Sequence, residues 1–312
     1  MLTTPVVRCL KQQTKGAEIH FVTKEKNAPI LRANPYIDKV HLFTENLREL
    51  IVGLEAERFD FIIDLHRNFR SGRIKNHLNI PAFSYDKINL QKFLLVNLKI
   101  NRLPDVHVVD RYMGTLNNLG VKNDNQGLDY FIPEDETFNV ADLPDIFHKG
   151  YVAFVIAGTY FTKKLPAEKV SEICNLLDYP VLLLGGKTEF DEGERILSNS
   201  KGNVLNFAGK ITLNQSASLV RDANLVLTND TGLMHIAAAF KKKILSFWGN
   251  TVPEFGMVPY LPDLTSKIME IENLKCRPCS KLGHHKCPRK HFNCMNKLDT
   301  KEAVEWVNQN FF

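Results

Sequence analysis

The segment LVLTNDTGLMHIAAA, residues 225–239, decides the fold class of the chain. Residues 225–228 form a short apolar run that predicts a buried strand, and residues 232–240 have the apolar spacing of a helix. Asp230 and Thr231 stand between them, where a side-chain oxygen caps the first turn of a helix. A strand that passes through a short polar loop into a helix is typical of α/β proteins with parallel sheets.

The same alternation extends along most of the chain. Apolar runs predict further strands at residues 18–23, 59–64, 151–156, 181–184 and 243–247. Helical patterns are found at residues 5–13, 46–57, 107–119, 166–177, 189–197, 214–222 and 300–310. Residues 133–150 are acidic and interrupted by prolines, which indicates a linker. We therefore predict two Rossmann-like domains, residues 1–145 and 146–312, the second with a Cys-rich segment at 276–294 and a C-terminal helix.

The N-terminus departs from this pattern, because the chain opens in a helix with no strand ahead of it. A parallel α/β domain normally opens on a strand, and the loop after that strand lies at the ligand-binding edge of the sheet. We expect this strand and its loop to lie upstream of Met1. Losing a central strand would expose apolar faces and unpaired backbone groups. We therefore favour a start site that was assigned too late, and consider a degenerate copy of the protein the weaker alternative.

The composition is that of a folded protein with a modest excess of positive charge. The 312 residues are 44% hydrophobic and 24% charged, with a formal net charge of +5. No apolar run is long enough for a membrane span or a signal peptide. We predict a cytoplasmic protein with an anionic partner, such as a phosphorylated acceptor at the inner membrane surface, because the charge excess is small for nucleic-acid binding.

The loop and helix at residues 229–239 predict a phosphate site. The first-turn amides and the helix dipole attract anions, and Gly232 lets a ligand approach the backbone closely. A diphosphate would bind at Asp230, Thr231 and Gly232, and His235, one turn further on, would contact a phosphate or the ribose. The alternative is an ordinary capped helix with a buried histidine.

The stretch DTGLMHIAAA after a strand resembles the signature of glycosyltransferase family 9, the ADP-heptose:lipopolysaccharide heptosyltransferases. A second stretch, AGTYFTKKLP at residues 157–166, is similar to a family loop that ends in lysine, a variable residue, a bulky residue and proline. The resemblance implies that Thr159 contacts the phosphates and that Lys163 is the phosphate-binding lysine, with Lys164 as the alternative. An ammonium group beside a departing diphosphate would offset the developing charge without a metal ion.

The glycine-rich turn LLGGKTEFD, residues 183–191, resembles a third family feature. In the family, a carboxylate near this turn can hold the nucleotide ribose, which points to Glu189 or Asp191. The resemblance places adenine against residues 209–212, mostly by backbone contacts. The second domain would then bind the whole nucleotide.

In the first domain, DLHRNFRSGR at residues 64–73 and the start of the helix near residue 110 look like family positions that face the acceptor. The resemblance implies that Arg67, Arg70 and Arg111 bind the acceptor. Arginine binds carboxylates and phosphates in a bidentate manner, which would suit a Kdo-containing lipid core. A solvated basic helix face is the alternative.

As a whole, the resemblance implies a GT-B-like architecture, with the acceptor on the first domain and the nucleotide-sugar on the second, facing across a cleft. It implies inverting transfer of a heptose or related sugar from an ADP-sugar to a lipopolysaccharide core (lipid A-Kdo) acceptor, with no catalytic cofactor. The family carries its base as the aspartate of a Gly-Asp pair shortly before the stretch that matches LTTP at residues 2–5, so the matching residue would lie upstream of Met1. Asp64 and His66 are the only nearby substitutes.

Four of the six cysteines follow the spacing C-x2-C-x7-C-x6-C and have histidines among them. Such a cluster suits a structural zinc ion held by four thiolates, or by three thiolates and one histidine. Thiols packed without metal and two disulfides are the alternatives, and disulfides conflict with a reducing cytosol. The expected ligands are Cys276, Cys279, Cys287 and Cys294. The other two cysteines, Cys9 and Cys174, lie in helical patterns and are expected to be buried.

Three other functions stay open beside sugar transfer. A sugar-nucleotide 2-epimerase shares the two-domain architecture and needs no acceptor. A non-catalytic remnant would bind nucleotide without turnover. A zinc-dependent nucleic-acid module would leave the buried strands of the first domain and the DTGLMH helix unexplained, so we expect no nucleic-acid partner. The sequence does not decide between ADP and UDP.

Overall fold

The computed structural model describes residues 1–312 and divides them into two compact units. Unit 1 comprises Met1–Asn89 and Val106–Phe131, and unit 2 comprises Leu90–Asp105 and Ile132–Phe312. These units differ from the predicted division between residues 145 and 146. The difference arises at two places, the predicted linker and the segment Leu90–Asp105.

At both places, apolar packing and hydrogen bonds hold the chain to unit 2. In the predicted linker, the Phe138 amide donates to Ser218 Oγ at 2.9 Å, and the Phe138 ring packs edge-on against Phe207. In the segment Leu90–Asp105, Leu95 packs in one cluster with Val252 and Phe255. The side chain of Lys99 also donates to the carbonyl of Pro278 at 2.6 Å.

Strands and helices alternate along most of the chain. The strands are β1 His20–Lys24, β2 Lys39–Phe43, β3 Ile62–Asp64, β4 Ala82–Ser84, β5 Val152–Val155, β6 Val181–Leu184, β7 Val204–Asn206, β8 Leu225–Asn229, β9 Lys243–Trp248 and β10 Lys267–Glu270. The α-helices are α1 Thr4–Gln13, α2 Leu47–Glu55, α3 Phe69–Leu78, α4 Asn89–Phe93, α5 Val108–Met113, α6 Ala167–Leu176, α7 Phe190–Ser198, α8 Leu213–Asp222, α9 Gly232–Ala239, α10 Asn293–Asn296 and α11 Thr300–Asn310. None of these helices combines the length and apolar character that a membrane span requires.

In unit 1 the strands form two separate parallel pairs, β1 with β2 and β3 with β4. In a doubly wound sheet the first strand of the domain lies in the middle, between the second and the fourth. In that order, a strand ahead of α1 would come between β1 and β3, the two strands that do not pair here. The existence of such a strand stays a prediction.

Helix α1 supplies much of the core of unit 1. Val6, Val7 and Leu10 pack with Met113 and Leu116 from the α5 region. The same helix buries Cys9, and unit 2 buries Cys174, both as free thiols, as expected.

One charged side chain lies within this core. Arg8 is 1% exposed, and its guanidinium donates to both carboxylate oxygens of Asp124 at 2.8 Å and to the carbonyl of Gly127 at 2.9 Å. It also pairs with Asp129. A buried charge of this kind is tolerated only when its hydrogen bonds are satisfied, so Arg8 ties α1 to residues 124–129.

Unit 2 is built on one six-stranded parallel sheet in the order β10-β9-β8-β5-β6-β7. Strands β5, β6 and β8 are buried at every residue, which is why they appear in the sequence as continuous apolar runs and not as alternating ones. Helix α6 contacts α7 and α11, and α8 contacts α9. Trp306 and Phe311 at the C-terminus join the unit 2 core, so α11 belongs to this unit. The strand order is that of a Rossmann fold.

Candidate functional site

The candidate site lies at the edge of the sheet where β5 and β8 end. These strands pair in parallel from Val152 opposite Leu225 to Val155 opposite Thr228. The strand order reverses between them, and parallel α/β sheets bind ligands at the carboxyl ends of strands at such a switch point. The loop after β5 carries a short 3₁₀ helix, Phe161–Lys163, and the loop after β8 leads into α9.

An ion pair joins these two loops. Lys163 Nζ lies 2.6 Å from Asp230 Oδ2, and Thr251 Oγ1 donates to the same oxygen at 3.1 Å. Both partners of the ion pair are largely buried. The ammonium group of Lys163 is therefore held at the loop that leads into α9.

The N-terminus of α9 has the geometry of an anion site. Thr231 is the N-cap, and its side chain accepts a hydrogen bond from the amide of Met234 at 3.4 Å. A Cβ atom added to Gly232 would meet nothing within 4 Å, so the space in front of the helix is open. The side chain of His235 is mostly buried within α9, and Thr159 is exposed on the loop after β5. The structure thus brings Lys163, Asp230, Thr231 and Gly232 together.

The neighbouring lysine points elsewhere. Lys164 Nζ contacts Glu192 Oε2 and lies 3.8 Å from Glu189 Oε1. Lys163 is therefore the lysine that lies beside Asp230, whereas Lys164 contacts residues near the start of α7. The two lysines of the KK pair therefore have different structural roles.

Glu189, the residue expected at the ribose, is 6% exposed and folds back on the glycine-rich turn. Its Oε2 accepts a hydrogen bond from the Gly186 amide at 3.0 Å, and its Oε1 accepts one from Thr188 Oγ1 at 3.0 Å. Asp191, the alternative, is exposed. Of the two carboxylates, only Glu189 contacts the turn.

Asn229 is a site residue that the sequence analysis missed. It is 1% exposed, its Oδ1 accepts a hydrogen bond from the amide of Leu165 at 2.9 Å, and its Nδ2 donates to the carbonyl of Ala157 at 3.1 Å. It therefore fastens both ends of the loop that carries Lys163 to the end of β8. The signal was present, since asparagine at a strand end often bonds to nearby backbone, but its partners are distant in sequence.

The Cys-rich segment braces the loop that carries Lys163. Thr162, immediately before Lys163, is 2% exposed; its amide donates to the carbonyl of His284 at 3.1 Å, and its Oγ1 accepts from the His284 amide at 2.8 Å. The backbone of this segment therefore fixes the residue next to Lys163.

The same segment also braces the loop after β9. The Arg277 guanidinium donates to the carbonyl of Thr251 at 2.9 Å, to that of Ile271 at 2.7 Å and to that of Gly249, and it pairs with Glu270 at 2.7 Å. Thr251 in turn bonds to Asp230, so Arg277 holds in place a loop that contacts the candidate site. The sequence analysis assigned no role to Arg277.

The four cysteines of this segment are free thiols, and no three of their sulfur atoms lie within 4.8 Å of one another. Burial is the main cause that raises the pKa of the Cys279 thiol to about 11, and the adjacent Cys276 is the next. Burial also raises the pKa of the Cys294 thiol to about 12, and Cys276, Cys279 and Cys287 raise it by smaller amounts. Cys276 Sγ lies 4.0 Å from His291 Nε2. A cation among them would favour the thiolate forms that these surroundings disfavour.

Two of the three expected acceptor arginines converge in unit 1. Arg67 Nη1 donates to the carbonyl of Tyr85 at 3.1 Å, and Arg111 Nη1 donates to that of Asp86 at 3.2 Å. Arg70 lies apart, with its guanidinium carbon 5.4 Å from the centre of the Phe43 ring. The chain just after β4 is therefore the place where two guanidinium groups meet.

Asp64 and His66, the substitutes considered for the base, differ in their surroundings. Asp64 is 4% exposed, and its Oδ1 accepts hydrogen bonds from the amides of His66 and Arg67 at 3.0 and 2.6 Å. Burial raises the pKa of Asp64, but the ammonium of Lys75, 2.8 Å away, and the two amides outweigh it and hold the pKa below its ordinary value. His66 is exposed, and burial of part of the ring lowers its pKa.

The chain is similar to known proteins along most of its length. A family model described as glycosyltransferase family 9 (heptosyltransferase) matches residues 47–286. The chain is 23% identical over 282 residues to lipopolysaccharide heptosyltransferase 1 of Campylobacter coli, covering 79% of each chain. Among solved structures, a family 9 glycosyltransferase of Veillonella parvula has a TM-score of 0.79 at 20% identity, covering 99% of this chain and 93% of that one. The E. coli ADP-heptose LPS heptosyltransferase II has a TM-score of 0.74 at 20% identity, covering 99% and 94%. These structures share the fold of the chain.

Proposed function

The chain belongs to glycosyltransferase family 9, the heptosyltransferases, and is therefore a glycosyltransferase; we propose that it moves a heptose or related sugar from an ADP-sugar to an anionic lipopolysaccharide-core acceptor. The observation that carries the proposal is the position of Lys163 beside the N-terminus of α9. The names of the relatives support the choice of donor and acceptor, since one refers to ADP-heptose and another to lipopolysaccharide.

The proposed reaction is a single displacement with inversion. The acceptor hydroxyl attacks the anomeric carbon as the bond from that carbon to the diphosphate oxygen breaks, and the hydroxyl proton passes to a base. Negative charge grows on the departing ADP, where the Lys163 ammonium and the first-turn amides of α9 are already in place to stabilise it. The reaction needs no catalytic cofactor under this proposal.

The remaining donor contacts follow from the same placement. Thr159, exposed on the loop after β5, would contact the phosphates, and His235 would contact a phosphate or the ribose. The carboxylate of Glu189 accepts two hydrogen bonds and has capacity for more, so a ribose hydroxyl can donate to it as well. Asp230 would hold Lys163 in position before the donor arrives.

We place the acceptor on unit 1, at Arg67 and Arg111. Their guanidinium groups suit the carboxylates and phosphates of a lipid core, whereas Arg70 stacks on Phe43 and would contribute less. The base is not assigned. Asp64 is occupied by donors and has a lowered pKa, which makes it a weak base, so His66 is the better candidate of the two.

We also propose a structural metal ion for the Cys-rich segment. Cys276, Cys279, Cys287 and Cys294 would hold it, with His291 beside Cys276 as the alternative ligand. The ion would act as a cross-link that fixes the Cys-rich segment. This segment in turn holds Lys163 in place through Thr162, and the loop of Asp230 through Arg277. Metal analysis of protein purified under reducing conditions should give about one thiolate-bound zinc per chain. Iron is the other outcome that a set of four sulfur ligands allows, and four metal-free thiols would contradict the proposal.

Peripheral contact with an anionic membrane is proposed for residues 90–102. Leu90, Phe93, Leu98 and Ile100 are 67%, 56%, 57% and 46% exposed, and the stretch has basic residues but no acidic ones. Exposed apolar side chains among positive charges are the pattern of interfacial segments. Phe93→Ser with Leu98→Ser should reduce sedimentation with phosphatidylglycerol vesicles, whereas Leu264→Ser, at a site 101% exposed elsewhere in unit 2, should not. Equal binding by all three proteins would contradict this contact.

The test of the function is acceptor-dependent release of ADP. The chain is incubated with ADP-heptose, with and without a Kdo-containing lipid, and both ADP and the glycosylated lipid are measured. We expect ADP and product only when the lipid is present, and far less of both from Lys163→Ala. Conversion of the donor without lipid would favour the epimerase. Thermal protection by ADP without any transfer would favour a nucleotide-binding remnant.

A further inference from the structure

Two histidines and a glutamate of unit 1, none of which has a role in the proposed function, lie close together. His20 opens β1, His41 lies in β2, and Glu57 follows α2. His20 Nδ1 lies 3.0 Å from His41 Nε2, and oxygens of Glu57 lie 3.9 Å from His20 Nδ1 and 4.0 Å from His41 Nε2. The parallel pairing of β1 with β2 brings the two rings to one side of the strand pair.

These separations are those of ligands around one ion. A tetrahedral zinc ion binds imidazole nitrogens at about 2.0–2.1 Å, which places neighbouring ligand atoms roughly 3.3 Å apart. The three atoms of the cluster therefore need only small side-chain movements to reach a common centre. Two imidazoles and one carboxylate also form a donor set that suits zinc and similar divalent transition metals.

Glu18 adds a second observation that favours a metal. Its Oε1 lies 3.0 Å from His20 Nε2, the ring nitrogen that faces away from the cluster. A neutral imidazole that donates from Nε2 presents the lone pair of Nδ1, in this case towards His41 and Glu57. A carboxylate on the far nitrogen is the usual partner of a metal-binding histidine.

Lys39 is the one cation that competes for this position. Its ammonium pairs with Glu57 Oε1, but its side chain is 53% exposed and can turn into solvent. The rings are less free, since the side chains of His20 and His41 are 6% and 11% exposed and both contact Phe59 edge-on. A metal ion would therefore displace the Lys39 ammonium from Glu57, while the two histidine rings stay in place.

We propose that His20, His41 and Glu57 bind a divalent transition-metal ion of the zinc class, with Glu18 orienting His20. The ion would cross-link β1, β2 and the chain after α2, and it would stabilise unit 1 because it binds only the folded arrangement. The donor set contains no sulfur, which separates this site chemically from the Cys-rich segment. The proposal does not depend on the sugar-transfer function.

Cobalt(II) is a suitable probe, because its absorption spectrum distinguishes thiolate from nitrogen and oxygen ligands. The full chain is titrated with Co²⁺ and compared with His41→Gln and with His77→Gln as a matched control. His77 also faces a glutamate, Glu55 at 3.7 Å, but it has no second histidine beside it. We expect a nitrogen- and oxygen-ligated class of bound cobalt in the original chain and in His77→Gln, and its loss in His41→Gln.

Two further variants test the geometry when His41→Gln folds poorly. Glu18→Ala should weaken the affinity of this class about 10- to 100-fold, as expected for the carboxylate partner of a metal-bound histidine. Lys39→Met should strengthen it, because the competing cation is removed. The proposal is overturned if no such class of cobalt appears, if His77→Gln loses it as well, or if Lys39→Met leaves the affinity unchanged.

Discussion

The ammonium of Lys163 lies 2.6 Å from the carboxylate of Asp230, and this contact joins the loops that follow two adjacent parallel strands. An incoming diphosphate would compete with Asp230 for the same ammonium. The ion pair thus holds the lysine in position but must be partly exchanged when the donor binds.

Lys163→Ala should remove the thermal protection that ADP gives and lower kcat about 10²- to 10³-fold, the usual effect of removing one stabilising donor at a developing charge. The melting temperature is measured against ADP concentration. Lys164→Ala is the matched control, because it breaks the contacts with Glu192 and Glu189 instead and should leave the ADP response intact. A larger loss of ADP protection in the control would contradict the assignment.

Arg277→Met should lower the free energy of unfolding by about 3 kcal/mol, because it leaves Glu270 and three backbone carbonyls without their partner. Urea denaturation measures this change. The variant should also weaken ADP binding, since the Thr251 carbonyl belongs to the loop that contacts Asp230. Unchanged ADP affinity in a destabilised protein would show that Arg277 supports the fold alone.

Arg67→Ala and Arg111→Ala should each raise the KM for the lipid acceptor about tenfold, consistent with the loss of one charge-assisted hydrogen bond. The KM for the ADP-sugar should stay the same, because these residues lie in unit 1. Arg70→Ala should have a smaller effect on the acceptor. Equal effects of all three substitutions would instead indicate a diffuse basic surface.

The Arg8–Asp124 pair should make the stability of unit 1 sensitive to acid. The hydrogen bonds from Arg8 lower the pKa of Asp124 from 3.8 to about 2. A lowered pKa in the folded state adds stability above pH 3.8, about 2 kcal/mol here, and this contribution is lost as the pH falls through about 2. Urea denaturation between pH 5 and 2 should show this loss, and Asp124→Asn should be less stable at pH 5 with a smaller dependence on pH.

The fold of unit 2 could be predicted from the sequence because its central strands are buried on both faces. Strands such as β6, with the sequence VLLL, appear as uninterrupted apolar runs. Strand β2, with the sequence KVHLF, was not predicted because a lysine and a histidine interrupt its apolar residues, so no apolar run marks it. The short strands β4, β7 and β10 were missed because each contains only two apolar residues, too few to mark a continuous apolar run.

The site could be predicted only where its signal is local. Asp230, Thr231 and Gly232 form a cap-and-helix pattern within a few residues. The choice of Lys163 over Lys164 depends on side-chain direction, and the bond between Thr162 and His284 joins residues far apart in sequence. Asn229, Arg277 and the cluster at His20 likewise depend on contacts that only the folded chain creates.

The packing of Leu95 against Val252 and Phe255 limits where the chain can be divided into separate units. The chain passes from one unit to the other at three places, near residues 89, 105 and 131, so the two halves are interleaved in sequence. A fragment cut once, between residues 131 and 132, would leave behind the segment that covers Val252 and Phe255. Chimeric enzymes that exchange unit 2 between relatives would have to transplant residues 90–105 together with residues 132–312.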